Sequence, residues 1–410
     1  MTSLLISLYQ IRELDVIDEY SIQPLNPLLA LCDFSILDAH KSGNSHTYII
    51  KSPLTDKTML IHDLHHTIQD YVSLLSKQSD NLSSYKQKTF ELFLLILNHQ
   101  LTHNLGFKNY VQAQESIHIQ KRIVDLTEFT QLPSLPTDAF KHHTPPTTLA
   151  SDEITKTFLT SGTTTDVKGS HHFATTNTYE TSILAGWNYC NLPPLQETFF
   201  LTPSTSEAPH SSLSHMMETL KKELNPSASF ILSEGTIDHL PIIECVKQGR
   251  AITIMGTALA FLQLFEILEE LESIQLPAGS WALETGGYKG SKESLTKEEL
   301  YQKFQTYLGI KSDQIWNEYS MTELSSQFYT NGVGNPHISP PWAPIKVINP
   351  ETNLPVETGE LGYLVIYDLA NVDSVVGIRT QDLAIYHNPN SFTLIGRDTS
   401  ALPRGCSRSI

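Results

Sequence analysis

Between residues 228 and 319 the chain alternates short apolar runs with amphipathic helices, and this alternation narrows the possible folds more than any other feature. Ala228–Leu232 precedes a helical stretch from Thr236 to Lys247, Ala251–Met255 one from Thr257 to Glu272, and Trp281–Glu284 one from Thr296 to Leu308; Ile315–Tyr319 closes the series. In the second helix Phe261, Leu264, Phe265 and Leu268 share one face while Gln263, Glu266 and Glu270 fall elsewhere, at the period of about 3.6 of a surface helix. Strands alternating with helices predict an α/β fold with a parallel sheet covered by helices. Ligands of such sheets bind beyond the carboxyl ends of the strands, so the residues after each strand matter most. From Ile345 onward the character is β, with Leu361–Tyr367, Val376–Thr380 and Phe392–Ile395 separated by turn residues.

Ahead of this region, residues 1–130 read as mostly helical, with Ile17/Tyr20, Leu92/Leu95/Ile96 and Leu101/Leu105 at helical spacing. Pro133, Pro136, Pro145 and Pro146 interrupt helices and mark a connection with a boundary near 150. The expected division is therefore a mostly helical region at 1–150, an α/β core at 151–344, a β-rich part at 345–398 and a flexible tail at 399–410. The net charge of −17 argues against a nucleic-acid partner, because affinity for polyanions comes mainly from Lys and Arg. The longest apolar run, Leu92–Leu97, is far short of the ~20 residues of a membrane-spanning helix, and the N-terminus lacks the basic start of a signal peptide. Cys32, Cys190, Cys245 and Cys406 form no CxxC pair, which fits neither a disulfide framework nor a zinc site and implies a cytoplasmic setting.

Three segments carry polar chemistry. Phe158-Leu159 runs into Thr160, Ser161, Gly162, Thr163, Thr164, Thr165 and then Lys168, supplying the accessible N–H groups, hydroxyls and ammonium that a polyphosphate needs. Lys168 is not preceded by glycine, so this is no Walker A loop; taken alone, the segment reads equally as a Ser/Thr-rich surface loop. Asn317-Glu-Tyr319-Ser-Met-Thr322-Glu323 follows a strand and offers a ring to stack on a base, a hydroxyl for phosphate and a carboxylate for Mg²⁺. Thr380-Gln381-Asp382 and Gly396-Arg397-Asp398 offer a carboxylate for ribose hydroxyls and a guanidinium for phosphate or ribose oxygens, or simply a surface pair. His99-Gln-Leu-Thr-His103 lacks the Glu of the zinc-protease pattern, and His62, His65 and His66 read as a solvated helix face. His171-His172 border the phosphate-loop candidate, and the absence of a Gly-x-Ser-x-Gly elbow disfavours an α/β-hydrolase.

In order and spacing the three segments together resemble the adenylate-forming (AMP-binding) superfamily, whose members activate a carboxylate as an acyl-AMP. Within it the chain is similar to the acyl-protein synthetases, or long-chain-fatty-acid luciferin-component ligases, of bacterial fatty-acid reductase systems. The likeness is carried by Glu284-Thr-Gly-Gly-Tyr-Lys289-Gly290, Asn317 to Gln327, Asp368-Leu-Ala-Asn371, Thr380-Gln-Asp-Leu383 and Arg404-Gly-Cys-Ser407, and covers about 150–410. It implies that Ser161 to Lys168 cradles the ATP phosphates, that Gly286-Gly287-Tyr288 lies along the adenine, and that Tyr319 stacks on the base. It also implies that Thr322 touches the α-phosphate, Glu323 holds Mg²⁺, Asp382 binds the ribose hydroxyls and Arg397 sits near ribose and phosphate. The sequence departs from the family pattern at Thr165, Ser320 and Gln381, each in place of a common glycine or, at 381, of glycine or glutamate. Only twelve residues follow Asp398, so the expected fold is the superfamily's large domain, with its β-rich C-terminal part, lacking the small C-terminal lid domain.

Cys406, between Arg404 and Arg408 and beside Gly405, is the candidate acyl acceptor, because guanidiniums favour the nucleophilic thiolate; the plainer alternative is an exposed cysteine in a polar tail. The expected reaction is ATP- and Mg²⁺-dependent activation of a carboxylic acid, a long-chain fatty one by the resemblance, followed by transfer to the Cys406 thiol as a thioester. The resemblance further implies an acyl reductase or another acyltransferase as recipient. Acyl-CoA ligation, or a nucleotide-binding scaffold without turnover, are the rival readings.

Overall fold

The computed structural model describes residues 4–8, 35–42, 45–51, 57–77, 85–114, 129–142, 144–160, 168–270, 274–286 and 295–398. At the front, β1 (Leu4–Leu8), β2 (Ser35–Ser42) and β3 (Ser45–Lys51) form an antiparallel sheet in the order β1-β3-β2. These strands depart from the mostly helical reading of this region, and among the described residues its helices are α1 (Lys57–Leu75), α2 (Lys86–His103) and α3 (Leu105–Gln114), while Ile17 and Tyr20 lie outside the described residues. The sequence reason is the hairpin signal Gly43-Asn44, which alone separates the paired residues Ser42 and Ser45, ahead of the β-favouring run Thr47-Tyr-Ile-Ile50.

The proline-rich connection is more ordered than a linker. Leu135–Pro136 forms a short strand, β4, parallel to a later strand, and a single 3₁₀ turn follows over Thr137–Lys141. Next come β5 (Lys156–Leu159) and β6 (Ser170–Phe173), an antiparallel hairpin, then α4 (Asn177–Tyr189), β7 (Glu197–Leu201) and α5 (Ser212–Leu224). The apolar run from Ala228 breaks into β8 (Ser229–Phe230) and β9 (Leu232–Ser233), and β9 pairs with β10 (Thr236–Ile237). Glu234 and Gly235 both have positive φ, 50° and 78°, the two-residue turn that matches hairpin twist, so the helix expected from Thr236 starts instead as α6 (Leu240–Lys247).

The remaining elements are β11 (Ile252–Thr257), α7 (Ala258–Glu270), β12 (Trp281–Thr285), α8 (Lys297–Leu308), β13 (Ile315–Tyr319), β14 (Phe328–Asn331) and β15 (His337–Ile338). They end with β16 (Ile345–Ile348), β17 (Leu361–Tyr367), β18 (Gly377–Asn388) and β19 (Ser391–Arg397). One large sheet runs β16-β17-β18-β19-β15-β14-β13-β12-β11-β7-β8, with β4 added beside β18. Its β8-β7-β11-β12-β13 part is parallel and the rest is antiparallel apart from the β4 pairing.

Burial on both faces explains why the parallel strands read as continuous apolar runs. On one face Ala282, Ile254 and Ile315 pack with Phe261, Phe265 and Phe304 of α7 and α8; on the other Leu283, Met255 and Phe200 pack with Ile183, Trp187 and Met217 of α4 and α5. A third core joins Ile68, Val72, Phe93 and Ile96 of α1 and α2 to Ile345, Val365, Ile366 and Ile378 of the antiparallel region. The observed architecture is therefore mixed α/β, with a helix-covered parallel sheet continuing into a β-rich C-terminal part.

Candidate active site

Strand β13 delivers Tyr319 to the carboxyl end of the parallel region, where its ring packs at 5.9–6.2 Å from Phe328, His337 and Phe392. Its hydroxyl donates to Asp382 Oδ2 at 2.8 Å. This contact joins two segments 63 residues apart in sequence, and burial, reinforced by the negative charge opposite the phenol, raises the phenol pKa well above 10.0. On β18, Asp382 is registered against Arg397 of β19. The guanidinium of Arg397 donates to Gln381 Oε1 at 3.0 Å, while the next residue, Asp398, accepts from the Tyr363 hydroxyl at 2.6 Å.

The turn after β13 is fixed from two sides. The carbonyl of Thr322 accepts from His171 Nδ1 at 2.8 Å, so His171 carries its proton on that nitrogen. Burial lowers the His171 pKa to about 4, so the imidazole is neutral and acts as a brace. The carbonyl of Glu323 accepts from Asn371 Nδ2 at 2.9 Å. Two residues on, the backbone N–H groups of Ser325 and Ser326 donate to Asp368, which also accepts from the Ser326 hydroxyl and the Ala370 N–H. The Asp368-Leu-Ala-Asn371 segment therefore serves as a buried support for the Thr322-Glu323 turn.

His171 lies on β6, whose hairpin with β5 holds the expected phosphate loop. Ser161, Gly162, Thr163, Thr164 and Thr165 lie outside the described residues; the two ends of the loop are described. Thr160 N donates to Gly169 O and Gly169 N to Thr160 Oγ1, both at 2.8 Å, which closes the neck of the loop. A Cβ on Gly169 would lie 3.0 Å from Thr160 Cγ2 and 3.3 Å from both Lys141 Cγ and Phe140 O, so the neck is built around the missing side chain. Lys168, at its mouth, is exposed. Gly286 ends β12 with φ +74°, a conformation natural to glycine, and is exposed; Gly287 and Tyr288 lie outside the described residues.

Beneath the site the sheet buries two carboxylates. Glu284 accepts from Lys297 Nζ, Tyr301 Oη and Asn317 Nδ2, and Asn317 in turn accepts from His337 Nε2 at 2.8 Å. Glu318 accepts from the Thr285 hydroxyl, and burial raises its pKa to about 6. Both glutamates fall in the motif segments, but their burial is not legible locally, because the groups that enclose them come from neighbouring strands and helix α8.

The structure thus brings Tyr319, Thr322, Glu323, Asp382 and Arg397 into one hydrogen-bonded framework with the neck of the Thr160–Gly169 loop. Cys406 lies outside the described residues, as does Cys32, whereas Cys190 and Cys245 are buried thiols. Of the histidines read as a solvated face, His62 and His66 are exposed but His65 is not. It bonds Asp373 Oδ1 at 2.9 Å and Thr178 Oγ1 at 2.7 Å, a long-range pairing that local helical spacing cannot reveal. Gln100, between His99 and His103, is a buried structural group that donates to Asn371 O and accepts from Val376 N.

Sequence reasoning missed Asp138, Lys141, His171's bracing role and Asn371's hold on the turn. The first two sit in a segment whose prolines signal only a connection.

Solved structures with this fold include the open form of 2-hydroxyisobutyryl-CoA ligase in complex with 2-HIB-AMP and CoA. It is 13% identical, with a TM-score of 0.57 over 77% of this chain and 75% of that one. The same ligase in the thioesterification state gives a TM-score of 0.59 at 13% identity, over 77% of this chain and 68% of that one. A long-chain-fatty-acid–luciferin-component ligase of Vibrio harveyi is 25% identical over 334 residues, 78% of this chain and 84% of its own length. A protein of the same name from Aliivibrio fischeri is 25% identical over 189 residues, which is 43% of this chain and about half, 49%, of that relative. The family described as acyl-protein synthetase, LuxE, matches residues 64–410, and the chain belongs to this family of ligases.

Proposed function

We propose that this ligase uses ATP and Mg²⁺ to activate a long-chain fatty acid as an acyl-AMP and then passes the acyl group to the thiol of Cys406. The observation that carries the reading is the Tyr319–Asp382 hydrogen bond, which unites the strand-end motif with the ribose-directed hairpin at the carboxyl end of the sheet. In this reading Asp382 accepts from the ribose hydroxyls, Arg397 meets ribose or phosphate oxygens, and Tyr319 with Gly286, Gly287 and Tyr288 borders the adenine. Thr160 to Thr164 and Lys168 meet the phosphates, and Thr322 meets the α-phosphate. The donor set suits Mg²⁺, which binds through one or two carboxylates plus phosphate oxygens; among the described residues no three His, Cys, Asp or Glu side chains gather into a metal cage, and Glu323 is the carboxylate at hand.

The substrate carboxylate displaces pyrophosphate at the α-phosphorus, and the hydroxyl and cationic side chains meet the charge that develops there. The Cys406 thiolate then attacks the mixed anhydride, releasing AMP and leaving a thioester from which a partner acyl reductase or acyltransferase takes the acyl group. The fatty substrate and the acyl transfer to protein are supported by family membership and by the names of the relatives. Among the described residues no helix is long and apolar enough to cross a membrane. ATP–pyrophosphate exchange tests the first step: it should depend on a fatty acid and, at limiting ATP, fall roughly 10- to 100-fold in Asp382→Ala, the scale of losing hydrogen bonds between the ribose hydroxyls and a charged group. Exchange that ignores the acid would refute it.

A further inference from the structure

Opposite charges on paired strands normally neutralise each other, and Asp382 and Arg397 are registered partners. Here their side chains are engaged elsewhere. Asp382 takes the Tyr319 hydroxyl at 2.8 Å, and Arg397 Nη2 donates to Gln381 Oε1 at 3.0 Å. The same Gln381 amide donates from Nε2 to Asp138 Oδ2 at 3.0 Å, and Asp138 Oδ1 accepts from Lys141 Nζ at 3.1 Å. Asp138 and Lys141 lie on the 3₁₀ turn after β4, which β18 holds by the pairs Ile378–Leu135 and Arg379–Pro136. The turn is anchored by Phe140, fully buried with its ring centroid 5.6 Å from that of His171, and Lys141 Cγ packs beside Gly169 at the neck of the phosphate loop.

We propose that Gln381, oriented by Asp138, is a positioning residue that draws Arg397 away from Asp382, so that carboxylate and guanidinium both stay available to the nucleotide. The Lys141–Asp138–Gln381–Arg397 chain then ties the phosphate-loop neck to the ribose hairpin and makes the 135–141 strap a third wall of the nucleotide site. Asp138 orients the amide unambiguously, because a carboxylate accepts only from Nε2 and leaves Oε1 for the guanidinium. An apolar side chain at 381 frees Arg397 to collapse onto Asp382, and the two charges then satisfy each other instead of the ligand.

The proposal rests on the reading of this site as a nucleotide site, and calorimetric titration with ATP tests it whether or not the protein turns over. Gln381→Leu should weaken ATP binding roughly tenfold, the scale of losing a hydrogen bond to a charged group, with the thermal midpoint unchanged. Gln381→Glu should also weaken it, because two carboxylates then face each other at 138 and 381. Adding Asp138→Asn supplies an amide donor to the new carboxylate at 381 and should recover most of the affinity. Wild-type ATP affinity in Gln381→Leu, or no recovery in the double variant, would overturn the relay, as would a wild type that binds no ATP. A wild type that binds ATP without acid-dependent pyrophosphate exchange would defeat the proposed activity alone and leave the relay to be judged by the affinities.

Discussion

Glu318 is a carboxylate inside a strand and only 1% exposed. Burial raises its pKa from the ordinary 4.5 to about 6, partly opposed by hydrogen bonds from Ser320 and Thr285. Raised in the fold, the group is protonated more readily there than in the unfolded chain, so its contribution to stability is full below pH ~4.5 and is lost as pH rises through about 6. Gln at 318 keeps the shape and the acceptor for Thr285 without the charge. The difference in unfolding free energy between Glu318→Gln and wild type should therefore move in favour of the variant by on the order of 2 kcal/mol between pH 4.5 and 7.5. Denaturant unfolding at the two pH values measures this, and a pH-independent difference would show that Glu318 titrates normally. His171 and His337 act at the acid end: burial lowers them to about 4 and about 3, so both withhold the proton that the unfolded chain accepts, and stability falls as pH drops below ~6.5.

At the scale of elements, helix α8 shows how a local signal serves the site. Thr296 Oγ1 accepts from Glu299 N at 3.2 Å and Glu299 Oε2 from Thr296 N at 2.7 Å, a reciprocal cap that fixes the first turn. That turn carries Lys297 onto Glu284, and Tyr301 follows one turn later. Thr296→Ala should cost about 1 kcal/mol, read from a denaturation midpoint, whereas Lys297→Ala leaves Glu284 a buried charge without its cation and should cost more. The strand–helix alternation from 251 to 319 was legible because burial of both sheet faces, caps and helix periodicity all leave marks in adjacent residues; β13 and β17 fall where their apolar runs stand. Tyr319 does end its strand, whereas the strand expected to stop at Thr380 continues through Asp382 to Asn388, because its pairing with β17 and β19 extends it beyond the local apolar run. What local patterns do not carry is partnership across the fold. Asp138 in a proline-rich stretch and His65 on a histidine-rich helix acquire their roles only when β4 meets β18 and α1 meets the loop at 373.

Across the whole molecule, the helical front and the antiparallel region share one apolar core, and a few polar contacts fix how they meet. His65 bonds Asp373, Gln100 bonds the backbone of Asn371, Val372 and Val376, and Asn371 holds the carbonyl of Glu323, so the front braces the segment that supports the strand-end turn. His65→Ala and Asp373→Asn should each destabilise the protein, and together by less than their sum, with a coupling above ~0.5 kcal/mol in a double-mutant cycle; strict additivity would mean that the pair does not join the two regions. The central claim concerns the thioester, and intact-protein mass spectrometry tests it most directly, with wild type and Cys406→Ser each incubated with ATP, Mg²⁺ and a mixture of fatty acids. The account predicts an acyl-mass adduct on wild type that hydroxylamine removes and that Cys406→Ser does not form as a thioester. An unmodified wild type, or a hydroxylamine-labile adduct that persists in Cys406→Ser, would contradict it.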